Sequence, residues 1–298
     1  MRIRPFDYQR AESLHHALQF LDAHGAETKL LAGGTDLVLA LKAKTVAPTR
    51  VLDINELKDL DYIRPDESAL RIGPLVRHAR MASDPFIRQK FPALAQATGL
   101  IGSWQLRNVG TLGGNLCNAS PSADSAPALL AANALAVIAD VNGEEEVLFR
   151  DFFTGPRASL LKPHQILKEI VVPLCDTRSH SMYLKLMRKK AVDLALVGVC
   201  FQAELDVTGS RIARVGIGLG GVAPTPIRVP NAEALFSGTG YREALEALPE
   251  AAEAAVTSAN PISDLRATAE YRRDIVRVFV ERSGRQVLGN LFSEVSES

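Results

Sequence analysis

Two glycine-containing segments constrain the fold of this chain more than any other feature of its sequence. In the first, Gly33 and Gly34 follow the apolar run Lys29–Ala32 and precede a segment of helical character. Glycine reaches backbone angles closed to other residues, and Thr35 or Asp36 can cap the helix that follows. A strand, a glycine turn and a helix in this order leave backbone N–H groups unpaired in front of the helix, which favours a negative group. We therefore expect a phosphate-bearing ligand.

A second segment rich in glycine supports the same interpretation. Gly110–Asn118 reads GTLGGNLCN, and small, helix-breaking residues separate it from an alanine- and leucine-rich helix that begins near Asp124. A single glycine pair after a strand is equally typical of an ordinary tight turn. Two such turns can hold two phosphates between them, so the pair of segments predicts a nucleotide-type ligand.

Length and charge restrict the partners of this chain. It has 298 residues, which exceeds the usual size of a single core and predicts two or three lobes. Lys plus Arg and Asp plus Glu number 34 each, so no net charge attracts the chain to nucleic acid or to an anionic membrane. The sequence has neither a secretory signal nor an apolar run long enough for a membrane span, and we expect a cytoplasmic protein.

The three cysteines exclude some redox centres. Cys117, Cys175 and Cys200 are widely spaced and form no CxxC motif. This pattern fits neither a disulfide framework nor an iron–sulfur cluster with four thiolate ligands. The six histidines form no HxxxH motif, so a metal site is not predicted either. If electrons pass through this chain, its own cysteines do not hold a cluster.

The hydrophobic pattern predicts three structural units. They are expected at residues 1–56, 57–176 and 177–298. The first unit alternates strands and helices from a first strand at Met1–Ile3, and we expect its strands to be parallel. The second unit mixes short strands with a helical stretch at Val76–Gln96, which prolines divide into two pieces.

The third unit is predicted to combine a sheet with helices. Three strand-like runs between residues 181 and 219 are joined by short connections, which favours an antiparallel meander. Helical stretches follow. In the last of them, Tyr271, Ile275, Val278 and Phe279 are expected to share one apolar face.

One glycine-rich segment of this third unit carries a misleading motif. Gly216–Gly221 reads GIGLGG and matches the dinucleotide-binding pattern GxGxxG letter for letter. That pattern requires a helix at its last glycine, whereas Pro224 and Pro226 follow here and preclude a regular helix start. We instead expect these glycines to allow another backbone to pack closely against a strand.

Three further residues allow two interpretations each. Lys185, in the strand-like run YLKLM, is either an exposed strand charge or a cation directed at a ligand ring. Asp124 is either only the N-cap of its helix or also a carboxylate that accepts a hydrogen bond from a sugar hydroxyl. Cys117 is either a small apolar filler or a residue close to the ligand.

Taken together, these motifs resemble those of the FAD-binding subunit of the molybdenum-containing hydroxylases, the group of xanthine dehydrogenase and aerobic carbon monoxide dehydrogenase. The resemblance rests on AGGTD at Ala32–Asp36, TLGGN at Thr111–Asn115 followed by ASPSAD, ILKEIVVP at Ile166–Pro173 and YLKLMRKKAVDLA at Tyr183–Ala195. It covers nearly the whole chain. It implies an α+β protein: a two-lobed FAD-binding domain of the vanillyl-alcohol-oxidase (PCMH) type, and a C-terminal α+β domain with a three-stranded antiparallel sheet and helices.

The same resemblance implies which residues contact FAD. Backbone N–H groups of the two glycine segments would hold the diphosphate, and Leu167 would pack on the flavin ring. Lys185 would lie near the pyrimidine edge, where a cation stabilises the negative charge of the reduced ring. The predicted cofactor-binding residues are Lys29, Leu30, Leu31, Ala32, Gly33, Gly34, Thr35, Asp36, Ile101, Gly110, Thr111, Gly113, Gly114, Asn115, Cys117, Asn118, Asp124, Leu167 and Lys185. The resemblance implies no catalytic residue and no metal ligand in this chain.

Partner subunits are implied as well. A small subunit would carry two 2Fe-2S clusters, and a large subunit would carry the molybdenum cofactor and hydroxylate the substrate, in a dimer of heterotrimers. This chain would be an oxidoreductase subunit that passes electrons from the clusters through FAD to an external acceptor. Two alternatives stay open: a stand-alone FAD oxidase or dehydrogenase, with flavin linked through Cys117, and a flavin-free assembly protein of the same fold.

Overall fold

Three main sheets organise the chain. The computed structural model describes residues 3–175, 178–189 and 192–293. A parallel sheet of three strands comes first, an antiparallel sheet of five strands second and an antiparallel sheet of four strands third. Each sheet contributes to its own large hydrophobic core. Among the helices of these described ranges, none combines the length and hydropathy that crossing a bilayer requires.

The first sheet is parallel, as the sequence predicted. Its unit consists of β1 (Asp7–Arg10), α1 (Leu14–His24), β2 (Thr28–Leu31), α2 (Leu37–Ala43) and β3 (Arg50–Asp53). β3 lies between β1 and β2 and pairs with both of them in parallel. The Ser13 hydroxyl caps α1 by accepting from the His16 N–H, and the helix buries Leu18 and Leu21 against the sheet. The predicted strand–turn–helix around Gly33 is present as β2 and α2.

The first strand does not lie where the sequence predicted it. Of the predicted strand Met1–Ile3, the first two residues lie outside the described residues, and the third is not in a strand. β1 begins at Asp7 instead, and all four of its residues are exposed. It is held by backbone pairing with β3 and by the Tyr8 hydroxyl, which donates to the Asp53 carboxylate at 2.6 Å. A strand held by pairing rather than by burial carries no apolar pattern, so hydrophobic periodicity does not reveal it.

The second unit is built on the five-stranded sheet. Its elements are β4 (Ile63–Pro65), β5 (Ala69–Ile72), α3 (His78–Ser83), α4 (Pro85–Lys90), α5 (Pro92–Gly99), α6 (Trp104–Arg107), α7 (Leu112–Cys117), α8 (Ser125–Ala131), β6 (Leu135–Asp140), β7 (Gly143–Leu148), α9 (Phe149–Phe152), β8 (Phe153–Gly155), β9 (Ala158–Ser159) and β10 (Ile166–Pro173). The strand order is β4-β5-β10-β6-β7, and all neighbouring pairs are antiparallel. β8 and β9 form a separate two-stranded ribbon.

Prolines divide the helical stretch of this unit differently from the prediction. Three helices, α3, α4 and α5, replace the two expected pieces of Val76–Gln96. Pro85 and Pro92 occupy the first turn of α4 and of α5. Proline is tolerated there because the N–H it lacks would have no partner within the helix, and its fixed φ suits a helix start. The prolines therefore begin two helices rather than interrupt one.

The third unit carries the antiparallel meander that the sequence predicted. Its elements are β11 (Ser179–Leu186), β12 (Val197–Leu205), β13 (Ile212–Gly220), β14 (Ile227–Arg228), α10 (Pro230–Glu233), α11 (Tyr241–Ser258) and α12 (Ala269–Ser293). The three long strands pair antiparallel in chain order, and the two-residue β14 adds a fourth strand at the edge. α12 packs against β11, β12 and α11.

The buried face of α12 differs from the predicted one. Tyr271 and Val278 are exposed, whereas the buried residues of α12 are Arg272, Val276, Phe279, Val280, Ser283, Gly284, Val287, Leu288 and Leu291. Counting apolar residues misses this face because an arginine, a serine and a glycine belong to it. A Cβ on Gly284 would lie 2.4 Å from Leu248 Cδ2 and 3.1 Å from the Phe201 ring. The helix lies this close to the sheet only because position 284 has no side chain.

The GIGLGG segment brings α8 into contact with the third unit. No helix follows the segment, as its two prolines predicted, and most of it belongs to β13. A Cβ on Gly216 would lie 2.0 Å from Ala131 O, and a Cβ on Gly218 would lie 2.0 Å from Pro127 O. Because both carbonyls belong to α8, the missing side chains allow a helix backbone and a strand backbone to touch. This contact fixes the position of Asp124, the residue before α8, relative to the third unit.

We predict that Gly218→Ala destabilises the protein, because the added methyl group would overlap the carbonyl oxygen of Pro127. Overpacking costs about 1 to 3 kcal/mol, and a clash with a backbone atom, which cannot move aside easily, places this substitution at the upper end of that range. For a chain of this size, that loss corresponds to a fall of about 6 °C in unfolding temperature. Gly155→Ala is the matched control, since its nearest neighbour, Ala158 Cβ, would lie 3.9 Å away. Scanning calorimetry of both variants tests this prediction, and equal unfolding temperatures would contradict it.

Candidate functional site

The two glycine segments singled out in the sequence lie against each other. Gly33 follows β2, and a Cβ at this position would lie 2.2 Å from Val109 O and 2.9 Å from Gly110 Cα. Only a residue without a side chain permits this approach. The segment after β2 and the segment before α7, which come from the first and the second unit, therefore meet at one place.

The first segment presents unpaired backbone N–H groups. Gly34 has a φ of 70°, in the left-handed region that favours glycine. Backbone donation resumes at Val38, whose N–H donates to Gly34 O at 3.0 Å. In the part of the chain that the structure describes, the N–H groups of residues 33 to 37 donate to no acceptor. These five donors, at a strand end and a helix start, are available to an anion.

The second segment is the start of a helix rather than the glycine turn that the sequence predicted. Gly113 and Gly114 lie in the first turn of α7, and Thr111 is its N-cap. Thr111 Oγ1 accepts from the Gly114 N–H at 3.1 Å, and Pro74 O accepts from the Gly113 N–H at 2.8 Å. A Cβ on Gly113 would also lie 2.4 Å from Pro74 Cβ. The glycines of this segment serve close packing, and most of its N–H groups are already paired.

The helix α7 leads to a second part of the candidate site. Asn115, in α7, accepts at Oδ1 a hydrogen bond of 2.7 Å from the Ser125 hydroxyl. Ser125 is the first residue of α8 and follows Asp124 directly. Cys117 and Asn118, at the end of α7, are partly exposed beside this connection. The second glycine segment is thus tied to the residue before α8.

Asp124 and Lys185 form a buried ion pair between the second and third units. Lys185 Nζ lies 2.8 Å from Asp124 Oδ2 and also donates to Leu100 O at 3.0 Å. The Lys185 side chain has no exposed surface, although its backbone is partly exposed. Lys185 is therefore not the exposed strand charge of one interpretation, and Asp124 makes no capping hydrogen bond to α8. Burial raises the pKa of Asp124, and this rise is opposed by Lys185 and by the Tyr183 hydroxyl.

These contacts gather most of the predicted site residues in one region. The first glycine segment contacts residues 109 and 110. Asn115 of α7 bonds to Ser125, which follows Asp124. Lys185 bonds to Asp124 and to Leu100, the residue before Ile101. Three predicted residues lie apart from these contacts. Leu167 is 3% exposed in the core of the second unit. Lys29 is exposed and Leu30 packs on the core of the first unit, both on β2.

Sequence analysis missed His78, which packs against the second segment. Its N–H donates to Gly110 O at 3.1 Å, and a Cβ on Gly110 would lie 3.2 Å from His78 Cδ2. The residue is 3% exposed, and its Nδ1 has no hydrogen-bond partner among the described residues. Burial, with a smaller contribution from the charge of Arg107, lowers the pKa of His78 to about 4. The imidazole is therefore neutral, and no sequence motif marks it.

Two other residues that the sequence did not single out fix the loops around the site. The Asn55 side-chain amide donates to Ala32 O at 2.6 Å and holds the end of β2. Arg107 donates to Ile101 O at 2.9 Å, and its guanidinium lies over the Trp104 ring. Both contacts join residues of one loop or of neighbouring loops. Their signal in the sequence is a polar residue in a loop, which is too common to identify them.

Among the residues that the structure describes, the site shows neither a metal-binding group of side chains nor a reactive thiol. In residues 3–175, 178–189 and 192–293, no group of three or more His, Cys, Asp or Glu side chains is placed to hold a metal ion. Burial raises the pKa of the Cys117 thiol to about 12. A thiol with such a pKa is almost entirely protonated at neutral pH and is a weak nucleophile.

Comparison with known proteins covers nearly the whole chain. The family model of the FAD binding domain in molybdopterin dehydrogenase matches residues 4–175, and that of the CO dehydrogenase flavoprotein C-terminal domain matches residues 182–287. The chain is 34% identical to the glyceraldehyde dehydrogenase medium chain of Sulfolobus acidocaldarius, over 95% of this chain and 98% of the relative. It is 31% identical to the xanthine dehydrogenase FAD-binding subunit of Escherichia coli O157:H7, over 92% of this chain and 93% of the relative.

A solved structure shares the whole architecture. A chain of the carbon monoxide dehydrogenase from Hydrogenophaga pseudoflava superimposes with a TM-score of 0.91 at 31% identity. The match covers 98% of this chain and 99% of that chain. The fold predicted from the sequence motifs, an FAD-binding domain followed by a C-terminal α+β domain, is confirmed by this similarity and by the family models.

We predict that His78 makes the protein lose stability in acid. Its pKa of about 4 in the folded state lies below the ordinary 6.5, so the unfolded chain binds the proton more tightly. The stability that neutral His78 provides is therefore present above pH 6.5 and is lost as the pH falls toward 4, by about 3 kcal/mol in total. Urea denaturation measures the free energy of unfolding at pH 7 and at pH 4. Between these two pH values, His78→Gln, which does not titrate, should lose about 3 kcal/mol less stability than the wild type. Equal losses in both proteins would contradict the prediction.

Proposed function

This chain belongs to the family of FAD-binding subunits of the molybdenum hydroxylases, and we propose that it passes electrons from the 2Fe-2S clusters of a partner subunit, through FAD, to an external acceptor. Its relatives are dehydrogenase subunits, and the chain is an oxidoreductase subunit. The observation that carries the proposal is the row of unpaired N–H groups at residues 33 to 37, held against Val109 and Gly110.

FAD fits the residues of this region. When bound, its ring would supply the ability to accept and release electrons. We assign the N–H groups of residues 33 to 37 to the diphosphate, because unpaired amides at a helix start bind anions. The left-handed φ of Gly34 shapes the turn that carries these N–H groups, and the absence of a side chain at Gly33 lets the turn lie against Val109 and Gly110.

Lys185 would contribute charge rather than a reactive group. Its ammonium is fully buried and paired with Asp124, so it is fixed in position. A fixed cation stabilises negative charge that develops on a neighbouring ring, and more strongly in a site shielded from water. Direct contacts with FAD stay predictions for every predicted site residue, including Lys29, Leu30 and Leu167.

We further propose the assembly in which this chain works. The chain would bind a small subunit with 2Fe-2S clusters and a large subunit with the molybdenum cofactor, as a dimer of heterotrimers in the cytoplasm. The names medium chain and FAD-binding subunit of its relatives support a complex of several subunits. In this proposal the first two units, residues 1–56 and 57–176, hold FAD. The third unit, residues 177–298, supplies Lys185.

We predict that Gly33→Ala weakens FAD binding, because the new methyl group would lie 2.2 Å from Val109 O and separate the two segments. The wild-type protein should be yellow with bound FAD, and the variant should lose affinity for FAD by at least about tenfold, or about 1.4 kcal/mol. Gly289→Ala, in α12, is the control, because its nearest neighbour would lie 4.0 Å away. Absorbance after reconstitution with FAD is the measurement. A variant with as much flavin as the control would contradict the assignment.

We also predict that the flavin is held without a covalent bond. The raised pKa of Cys117 leaves almost no thiolate to attack the ring, which disfavours the alternative of a flavin linked through this cysteine. Acid precipitation should release all flavin into the supernatant, and Cys117→Ser should bind as much FAD as the wild type. Flavin that stays in the wild-type pellet and is released from Cys117→Ser would reverse this conclusion.

A further inference from the structure

A buried cluster of three side chains joins the second and third units beside the candidate site. Tyr183 and Lys185 point to the same side of β11 and meet Asp124, the residue before α8. The Tyr183 hydroxyl donates to Asp124 Oδ1, and the Lys185 ammonium donates to Oδ2, both at 2.8 Å. Tyr183 is 4% exposed, and the Asp124 side chain is 7% exposed. Each oxygen of the carboxylate thus receives one donor from the third unit.

Gly198, which has no side chain, leaves the space that the Tyr183 ring occupies in the third unit. Gly198 lies opposite Lys185 in the neighbouring strand β12. A Cβ on Gly198 would lie 2.5 Å from the hydroxyl oxygen of Tyr183. Any other residue at position 198 would therefore push the phenol away from Asp124. The sheet backbone itself fixes the position of this hydroxyl group.

The Lys185 ammonium keeps one donor without a protein partner. An ammonium group has three N–H donors. One donates to Asp124 and one to Leu100 O at 3.0 Å, and the third has no acceptor among the described residues. Leaving a buried donor unsatisfied is unfavourable, so an acceptor on a bound ligand would stabilise this arrangement. Because Leu100 precedes Ile101, this donor lies beside a loop of the candidate cofactor site.

We propose that Tyr183 is a positioning residue that sets, through Asp124, how much positive charge Lys185 presents to the bound flavin. This inference rests on the proposed function. The Tyr183 hydroxyl directs the positive end of its dipole at Asp124 and offsets part of the carboxylate charge, an effect that low polarity strengthens. A flavin ring that gains two electrons and one proton carries one negative charge, which nearby positive charge stabilises. Tyr183 therefore raises the reduction potential of the flavin.

The variant Tyr183→Phe tests this role, because it removes the hydroxyl and keeps the ring. Flavin content should be unchanged, while the potential should fall by about 30 mV, a tenfold change in the ratio of oxidised to reduced flavin for a two-electron couple. A reductive titration of the flavin-loaded protein against a reference dye measures the potential. Tyr62→Phe is the control: its hydroxyl donates to Glu169 at 2.5 Å and does not contact Asp124. The control should leave the potential unchanged.

A double-mutant cycle separates positioning from a general structural effect. Asp124→Asn removes the negative charge and should raise the potential, and Tyr183→Phe should then have no further effect. A Tyr183→Phe shift that persists in the Asp124→Asn background would overturn the inference, and so would an unchanged potential in the flavin-loaded single variant. If Tyr183→Phe loses its flavin, Asp124→Asn decides alone, and a potential that does not rise overturns the inference. A wild-type protein that takes up no FAD refutes the proposed function itself, and this inference with it.

Discussion

The contact between Gly33 and the backbone of Val109 and Gly110 determines where the candidate site lies. It holds the strand end of the first unit against the segment before α7 in the second unit, at a distance that any side chain would prevent. The unpaired N–H groups of residues 33 to 37 owe their position to this contact. The two segments do not contribute equally, since the first has free donors and the second has mostly paired ones. We therefore propose the first segment as the principal anion site and the second as its support.

Missing side chains also join the third unit to the site. Gly216 and Gly218 allow β13 to touch α8, and Gly198 gives Tyr183 the space to reach Asp124. The third unit thus contributes a buried cation, Lys185, to a region that the first two units form. Burying an ion pair is unfavourable unless its geometry is good and its other hydrogen bonds are made. The carboxylate of Asp124 meets that condition with a donor at each oxygen, whereas the Lys185 ammonium has acceptors for two of its three donors among the described residues.

The sequence predicted the features that depend on local pattern, and it missed those that depend on contacts between distant residues. The strand before Gly33, the parallel first sheet and the meander of the third unit follow from hydrophobic runs and turn residues. The strand at Asp7 carries no such run, because it is exposed and held by pairing. The glycines at 113 and 114 suggested a turn, but the Thr111 hydroxyl caps a helix there. Asp124 and Lys185 lie 61 residues apart, and only the folded chain shows that they pair.

The central claim is that the N–H groups of residues 33 to 37 hold the diphosphate of FAD. Calorimetric titration of the flavin-free protein with FAD and with riboflavin, which has the same ring but no phosphate, tests it most directly. The account predicts that FAD binds at least about a hundredfold more tightly than riboflavin, a difference of about 2.7 kcal/mol. Equal affinity for the two ligands would contradict it.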